Sequence, residues 1–212
     1  MKILMLNGSP HENGCTYTAL AIMSQIFELE GIDTEIFWVG NGQVGGCISC
    51  RQCAEIKECV FDDGVNEFRK KAAGADAFVF GTPVHYAAAS GNITGFLDRL
   101  FYSDAAANSN ANFRLKPAAV IASARRAGTT AALDQMMKYL AISEMPIITS
   151  SYWNMVHGQK PADVLQDEEG VFTMQNLAKN MSYFLKCIAA AGSAGITPPP
   201  KEQKIWTNFI RG

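Results

Sequence analysis

The sequence predicts an α/β domain in which a doubly wound, five-stranded parallel sheet lies between two layers of helices. Two observations carry this prediction. Short apolar runs alternate with segments of helical periodicity along most of the 212 residues, and each intervening segment is long enough for the crossover that parallel strands require. With 48% hydrophobic and 18% charged residues, the chain can bury the core that such a three-layer sandwich needs.

The predicted strands are apolar runs that end at turn residues. In chain order they cover residues 2–8, 34–39, 75–83, 116–124 and 146–153. The first run, KILMLNG, ends at Asn-Gly and has the composition of a strand that is buried on both faces. Pro83 is expected to end the third strand.

The predicted helices repeat apolar residues every three or four positions. They cover residues 16–30, 62–73, 90–101, 129–142 and 171–191. The first helix is typical: Leu20, Met23 and Phe27 share one face, and Gly31 stands where a C-cap belongs. Cys187, on the closing helix, is predicted to be a small buried residue.

Two segments depart from this alternation. Residues 103–114 are small and polar, which predicts a mobile loop. Three successive prolines begin an extended C-terminal arm that ends in Trp206 and Phe209. The rings can pack on their own domain or on a neighbouring subunit. The domain organisation is therefore a body of residues 1–190, with a cysteine-rich insertion at 45–62, followed by the arm at 191–212.

Charge and hydropathy exclude several partners. A net charge of −2 and a pI near 5.9 give no basic surface for nucleic acid. No apolar run approaches the roughly 20 residues that span a bilayer. The start, MKILMLNGSP, lacks the features of a signal peptide. We therefore expect a cytoplasmic, reducing environment without stable disulfides.

The loops at the carboxyl ends of the strands should form the site, because ligands of open parallel sheets bind there. The first loop, GSPHENGCT, offers glycines, hydroxyls and the N-terminus of a helix, which suit a phosphate. The third, GTPVHYAAASGN, offers an apolar and aromatic rim for a flat ring. The fourth, SARRAGTT, carries Arg125 and Arg126, which can hold a second anion or lie solvated at the surface.

A G-x-G-x-x-G match at Gly40, Gly42 and Gly45 is rejected as a dinucleotide fingerprint. That fingerprint requires a helix to open at its last glycine. The sequence CISCRQCAEIKEC follows instead, with cysteines where an amphipathic stripe should be.

Four cysteines follow with the spacing C-x2-C-x2-C-x5-C. Two-residue gaps allow consecutive thiolates to reach the corners of one [4Fe–4S] cube, although the fourth gap is longer than in bacterial ferredoxins. Zinc fits less well, because four-cysteine zinc sites use two separated C-x2-C knuckles. The cysteines thus hold a cluster or remain bare thiols. They are Cys47, Cys50, Cys53 and Cys59.

Together these motifs resemble the flavodoxin-like NAD(P)H-dependent flavin reductases, and among them the iron–sulfur flavoproteins. YWNMVHG and QDEEG further along also match, so the resemblance covers about residues 1–190. It implies a flavodoxin-like fold with FMN as prosthetic group. The implied FMN contacts are Ser9, Asn13, Cys15 and Thr16 at the phosphate, Pro83, Val84, His85 and Tyr86 along the ring, and Ser123, Ala124, Arg125 and Gly128 from the fourth loop.

The resemblance also implies the activity. FMN would take electrons from NAD(P)H and pass them to a quinone, a flavin or another small acceptor, with no separate catalytic residue. One alternative is an iron–sulfur flavoprotein that relays electrons between a ferredoxin-like partner and an acceptor, and a second is a cofactor-free binding module that reuses the fold. Family members commonly form homodimers or homotetramers. Cys15 and His85 stand where the family often has Asn and Tyr, and His85 can modulate protonation near the ring.

Overall fold

A computed structural model describes residues 1–205 and 207, so that Trp206 and Phe209 of the predicted arm lie outside the described residues. The strands are β1 (Lys2–Asn7), β2 (Asp33–Trp38), β3 (Ala77–His85), β4 (Ala88–Ala89), β5 (Ala118–Ala124) and β6 (Met155–His157). The helices are α1 (Cys15–Leu29), α2 (Cys53–Ile56), α3 (Gly64–Ala72), α4 (Gly91–Asn108), α5 (Thr129–Ile142), α6 (Pro161–Val164) and α7 (Glu168–Ser193).

Five strands form a parallel sheet in the order β2-β1-β3-β5-β6, and the short β4 pairs antiparallel with the end of β3. Without β4 the order is 2-1-3-4-5, which is the flavodoxin-like arrangement. The predicted fold class is therefore confirmed. Because the strand order reverses between β1 and β3, the crevice for a ligand opens above these two strands.

The core has two layers, one on each face of the sheet. Alternate residues of β1 point in opposite directions, so that Leu4 and Leu6 pack with α3, α4 and α5. Ile3 and Met5 pack on the other face with α1 and α7. All four side chains are fully buried, as the apolar composition of this strand predicts.

The fifth strand lies further along the chain than predicted. Instead of pairing over 146–153, the chain forms a single bridge from Ile147 to Ala118 and pairs next from Met155 to Ala122. From Ile147 to Met155 the chain advances eight residues, whereas the facing stretch of β5, from Ala118 to Ala122, advances only four. The four extra residues form a bulge. Asn154 links the bulge to β5. Its side-chain Nδ2 donates to the Val120 carbonyl at 3.1 Å, and its backbone carbonyl accepts from the Ala122 amide.

The loop predicted at 103–114 is wrong for residues 103–108, because α4 continues through Asn108, and only residues 109–114 form turns. Its polar residues are used inside the domain. The carboxylate of Asp104 is fully buried and accepts hydrogen bonds from Arg69 Nε at 3.0 Å and Asn112 Nδ2 at 2.7 Å. Cys187 corrects a second prediction, since it lies exposed on α7.

The described part of the C-terminal arm runs back over its own domain. Helix α7 ends at Ser193, and Arg114 then donates from Nη1 to the Pro199 carbonyl at 3.1 Å. Lys201 contacts the Ser109 carbonyl nearby. Within residues 1–205 and 207, none of the helices combines the length and apolar character needed to cross a membrane.

Candidate functional site

The loop from Gly8 to Gly14, between β1 and α1, is fixed from below by a buried asparagine. Asn7 donates from Nδ2 to the Glu12 carbonyl at 2.9 Å, and its Oδ1 accepts from the Ser9 amide at 3.1 Å. Trp38 at the end of β2 donates from Nε1 to the Ser9 carbonyl at 2.8 Å. The backbone of the loop is thus preorganised around the start of α1.

This loop ends at a helix N-terminus that no side chain caps. Gly14 is the N-cap of α1 and has no side chain to offer, and no other side chain among residues 1–205 and 207 caps the first turn. The unpaired N–H groups and the positive end of the helix dipole therefore face the loop. An anion such as a phosphate is the natural partner for such groups.

Two hydrogen bonds tie this loop to its neighbours across the crevice. The Ser90 hydroxyl, at the start of α4, donates to the Gly8 carbonyl at 2.9 Å. The buried hydroxyls of Thr16 and Ser123 lie 2.8 Å apart and share a hydrogen bond between α1 and β5. The Thr16 hydroxyl, predicted at the phosphate, is therefore paired with another predicted site residue.

The third loop is a tight hairpin and differs from the prediction. Strand β3 does not end at Pro83 but continues to His85, because Val84 and His85 pair with β4. Tyr86 forms the tip with a φ of 60° and is fully exposed. The chain thus presents Val84 and His85 on a short, hydrogen-bonded arm above the sheet.

Gly128 fits against this hairpin. Its φ is +95°, which an L side chain rarely adopts, and a Cβ atom placed there would lie 2.8 Å from Val84 Cγ1. A glycine is therefore required both by the backbone conformation and by the close approach to Val84.

These loops enclose a cleft of about 470 Å³, which is within the range for small-molecule and cofactor sites. Ten of the twelve predicted contacts line it: Ser9, Asn13, Cys15, Thr16, Pro83, Val84, His85, Ser123, Ala124 and Arg125. Tyr86 and Gly128 do not line it. Tyr86 turns to solvent at the hairpin tip, and Gly128 stands behind Val84.

Six lining residues were absent from the predicted set: His11, Gly14, Gly158, Gln159, Lys160 and Pro161. The segment 158–161 follows β6 and forms a wall of its own. The Cys15 thiol donates to the Gly158 carbonyl at 3.5 Å, which ties the wall to α1. Burial raises the pKa of the Cys15 thiol, and the nearby Asp163 carboxylate raises it further. The signal for this wall was the VHG of YWNMVHG, which the sequence analysis used only as a family match.

The cleft fits FMN in charge and in shape. Among the described residues that line it, four carry basic side chains, His11, His85, Arg125 and Lys160, and none carries a carboxylate. The apolar Pro83 and Val84 face the cleft from the opposite loop. An anionic end at the start of α1 and a flat ring beside the hairpin match these two surroundings.

The four clustered cysteines line one small pocket beside α4, separate from this cleft. Cys53 is buried, Cys59 half-buried, and Cys47 and Cys50 exposed. Burial raises the pKa of the Cys53 thiol, and the other three thiols raise it further because they are close enough to repel its negative charge. Over residues 1–205 and 207, however, no three Cys, His, Asp or Glu side chains are arranged to hold a metal ion. The cluster therefore stays a prediction.

Arg99 of α4 organises this pocket; it was not among the predicted site residues, since the sequence favoured a solvated helix end at Asp98-Arg99. Its guanidinium is almost fully buried and forms two hydrogen bonds to the Asp63 carboxylate, at 2.7 and 2.8 Å. Its Nε also donates to Cys59 Sγ at 3.3 Å, and the Phe61 ring lies 4.6 Å from its Cζ. A buried cation therefore lies directly against the Cys59 sulfur, inside the pocket that the four thiols line.

Comparison with known proteins agrees with this geometry. "Iron-sulfur flavoprotein MJ1083" of Methanocaldococcus jannaschii is 26% identical over 197 residues, covering 89% of this chain and 99% of the relative. Among solved structures, RosB with a bound riboflavin-phosphate intermediate superposes with a TM-score of 0.69 at 15% identity, covering 100% of this chain and 92% of RosB. FerB, an NAD(P)H:(acceptor) oxidoreductase from Paracoccus denitrificans, superposes with a TM-score of 0.66 at 15% identity, covering 88% of this chain and 97% of FerB.

The family model for NADPH-dependent FMN reductase matches residues 1–160, which include the first, third and fourth loops and the wall up to Lys160. These are the segments that enclose the cleft. The chain therefore belongs to the NADPH-dependent FMN reductase family.

Proposed function

We propose that this protein binds FMN in the cleft and acts as an oxidoreductase that takes electrons from NAD(P)H and delivers them to a quinone, a flavin or another small acceptor. The observation that carries the proposal is the cleft itself. An uncapped helix N-terminus lies at one end, an apolar hairpin at the other, and no carboxylate lines it among the described residues. An NAD(P)H donor is supported by the name of the family, NADPH-dependent FMN reductase, and by FerB, an NAD(P)H:(acceptor) oxidoreductase of similar fold.

The residues of the chain have distinct tasks in this proposal. The N–H groups at the start of α1, with Ser9 and Asn13, would hold the phosphate. Pro83 and Val84 would pack on the ring and exclude water from one side of it. His85 and Arg125 are exposed at the open side of the cleft, where they can meet an anionic donor or a polar acceptor. FMN supplies two-electron chemistry when it is bound, and the protein supplies its placement.

The experiment is reconstitution followed by reduction. The purified protein is titrated with FMN and with riboflavin, and the flavin absorbance is then followed after anaerobic addition of NADH or NADPH. We expect FMN to bind more tightly than riboflavin, because only FMN carries the phosphate, and we expect the bound flavin to bleach. Failure of the protein to bind FMN would refute the proposal. Binding without bleaching by either donor would refute the donor assignment.

A second function is favoured by the cysteine pocket. All four thiols line it, a buried arginine contacts one of them, and the relative MJ1083 is named an iron–sulfur flavoprotein. In this form the protein would relay electrons between a ferredoxin-like partner and an acceptor. Iron and acid-labile sulfide measured on anaerobically purified protein would decide it. About four irons per chain support a cube held by four thiolates, whereas iron-free protein excludes the relay.

A further inference from the structure

A second groove, of about 710 Å³, lies beside α5 at the outer edge of the sheet. The bulge between Ile147 and Met155 forms one side of it, and α5 forms the other. Leu133 and Met137 of α5 provide an apolar floor together with Val120 of β5. The groove exists because the bulged chain leaves this side of α5 uncovered, instead of continuing β6 alongside it.

Two aromatic rings stand on the rim of the groove. Tyr152 and Trp153 are 55% and 58% exposed, and their ring centroids lie 6.1 Å apart. Exposed rings of this size that are held by a bulge provide a surface on which a planar heterocycle can stack.

The groove is also lined by a residue with a buried hydrogen-bond acceptor that no described residue satisfies. Asn154 is only 8% exposed, and its Nδ2 is used by the Val120 carbonyl. Its Oδ1 is buried and receives no hydrogen bond from any described residue. Because most buried polar atoms are paired, this oxygen needs a donor that no described residue supplies, either a water molecule or a group of a ligand.

Polar groups elsewhere in the groove add a further feature. Asp134 of α5 lines it with an exposed carboxylate, and Thr130 and Ser151 contribute hydroxyl groups. A carboxylate that accepts from two adjacent hydroxyls is the usual way in which proteins bind the ribose of NAD, and it repels the 2′-phosphate that distinguishes NADP.

The groove is also within reach of the cleft. Asn154 lines the groove and Gly158 lines the cleft, and four residues of extended chain span about 13 Å. Arg125 and Arg126 lie exposed on the loop between β5 and α5, which connects the two sites. Paired arginines at this place suit a pyrophosphate.

We propose that this groove binds the adenosine half of NADH, with the adenine on Trp153 and Tyr152 and the ribose hydroxyls on Asp134. The inference rests on the proposed function, since the nicotinamide end would then reach the cleft. It deepens that function by assigning a preference for NADH over NADPH.

The test uses the FMN-loaded protein and three variants. Trp153→Ala removes the stacking surface, and Asp134→Asn removes the charge. Phe172→Ala is the matched control, because Phe172 is a similarly exposed aromatic residue, at 59%, on α7. Calorimetry measures the binding of ADP-ribose, and stopped-flow absorbance measures flavin reduction by NADH, NADPH and reduced nicotinamide mononucleotide, which lacks the adenosine half.

We expect Trp153→Ala to weaken ADP-ribose binding and to raise the NADH concentration for half-maximal reduction, each about tenfold. Reduction by the mononucleotide should not change, and Phe172→Ala should behave like the wild type. In Asp134→Asn, the NADH and NADPH concentrations for half-maximal flavin reduction should become more similar, because the charge that repels the 2′-phosphate is gone.

Three results would overturn the proposal. ADP-ribose binding could be equal in all variants, or Trp153→Ala could slow NADH and the mononucleotide alike, which would place the residue at the flavin instead. Sedimentation could also show that Trp153→Ala dissociates an oligomer, which would make the groove a contact between copies. If dithionite bleaches the flavin but none of the three donors does, the proposed donor has failed, and the ADP-ribose titration still decides whether the groove binds adenosine.

Discussion

Thr16 and Ser123 share a hydrogen bond of 2.8 Å between buried hydroxyls that are 107 residues apart in the sequence. The bond joins the first turn of α1 to the end of β5, so it fixes the loop at the anionic end of the cleft relative to the loop that carries Arg125. Neither hydroxyl has access to solvent, since the residues are 1% and 4% exposed. The shape of the cleft therefore depends on this pair.

Thr16→Val should weaken FMN binding and destabilise the fold. The substitution keeps the shape of the side chain but leaves the Ser123 hydroxyl buried without its partner, which costs about 1–3 kcal/mol. Urea unfolding and FMN titration measure the two effects. Thr18→Val is the control, because the half-buried Thr18 hydroxyl donates to the Gly14 carbonyl within its own helix turn and does not tie α1 to another strand. Equal behaviour of the two variants would contradict the role of the pair.

Gly128→Ala should lower both stability and FMN affinity. The backbone at φ +95° disfavours any Cβ, and the new atom would press on Val84, which lines the cleft. We expect a loss of about 1–3 kcal/mol in the free energy of unfolding. Gly192→Ala, within α7 and with nothing near its Cβ position, should instead be neutral or stabilising by about 0.5–1 kcal/mol. A neutral Gly128→Ala variant would show that Val84 can move freely.

Arg99→Lys should destabilise the segment that carries the four clustered cysteines, residues 47–59, although the substitution keeps the positive charge. A lysine ammonium cannot form the two parallel bonds to Asp63 and also reach Cys59. We expect the free energy of unfolding to fall by about 1–3 kcal/mol. The fall should not be larger, because the Asp63 carboxylate is partly solvated. Thermal unfolding measures it, with the exposed Arg51→Lys as control. If both variants melt together with the wild type, Arg99 does not hold this segment.

Glu35 should make stability depend on pH in the acid range. Hydrogen bonds from Lys2 and Lys71 lower the pKa of this carboxyl below its ordinary value. A lowered pKa in the folded state gives stability that is fully present above the unfolded-state pKa and is lost as the pH falls through the folded-state pKa. Glu35→Gln should therefore be less stable than the wild type at neutral pH. The difference should shrink in acid, and a difference independent of pH would contradict this assignment. The effect should be small, because the pair is partly exposed.

Cys15 should react more slowly with iodoacetamide than Cys47 or Cys50. Burial and Asp163 raise the pKa of the Cys15 thiol, so less of it is present as the reactive thiolate. Cys47 and Cys50 are exposed. Mass spectrometry of chymotryptic peptides after timed labelling gives the order, because cleavage at Tyr17, Phe27 and Trp38 separates Cys15 from Cys47 and Cys50. Added FMN should slow Cys15 further, because Cys15 lines the cleft; equal rates with and without FMN would separate it from the flavin.

The sequence was sufficient for the fold class and for most of the cleft. Apolar runs such as KILMLN can be buried only between two layers, and the loops after parallel strands must meet at one edge. For that reason ten of the twelve predicted contacts line one cleft. The wall at Gly158–Pro161 was missed because its one signal, the VHG of YWNMVHG, indicated only the family; these residues line the cleft because β6 ends beside α1.

Local sequence also failed where distant partners decide the conformation. Residues 103–108 are small and polar, as in a loop, yet they are helical because Arg69 and Asn112 satisfy the buried Asp104. The strand predicted at 146–153 became a bulge, because its pairing was decided by β5 and Asn154 rather than by its own composition. Sequence alone thus determined the layers, the order of elements and the place of the site. Only the tertiary structure decided the register of the edge strand, the burial of Arg99 and the groove beside α5, since each depends on contacts between residues far apart in the chain.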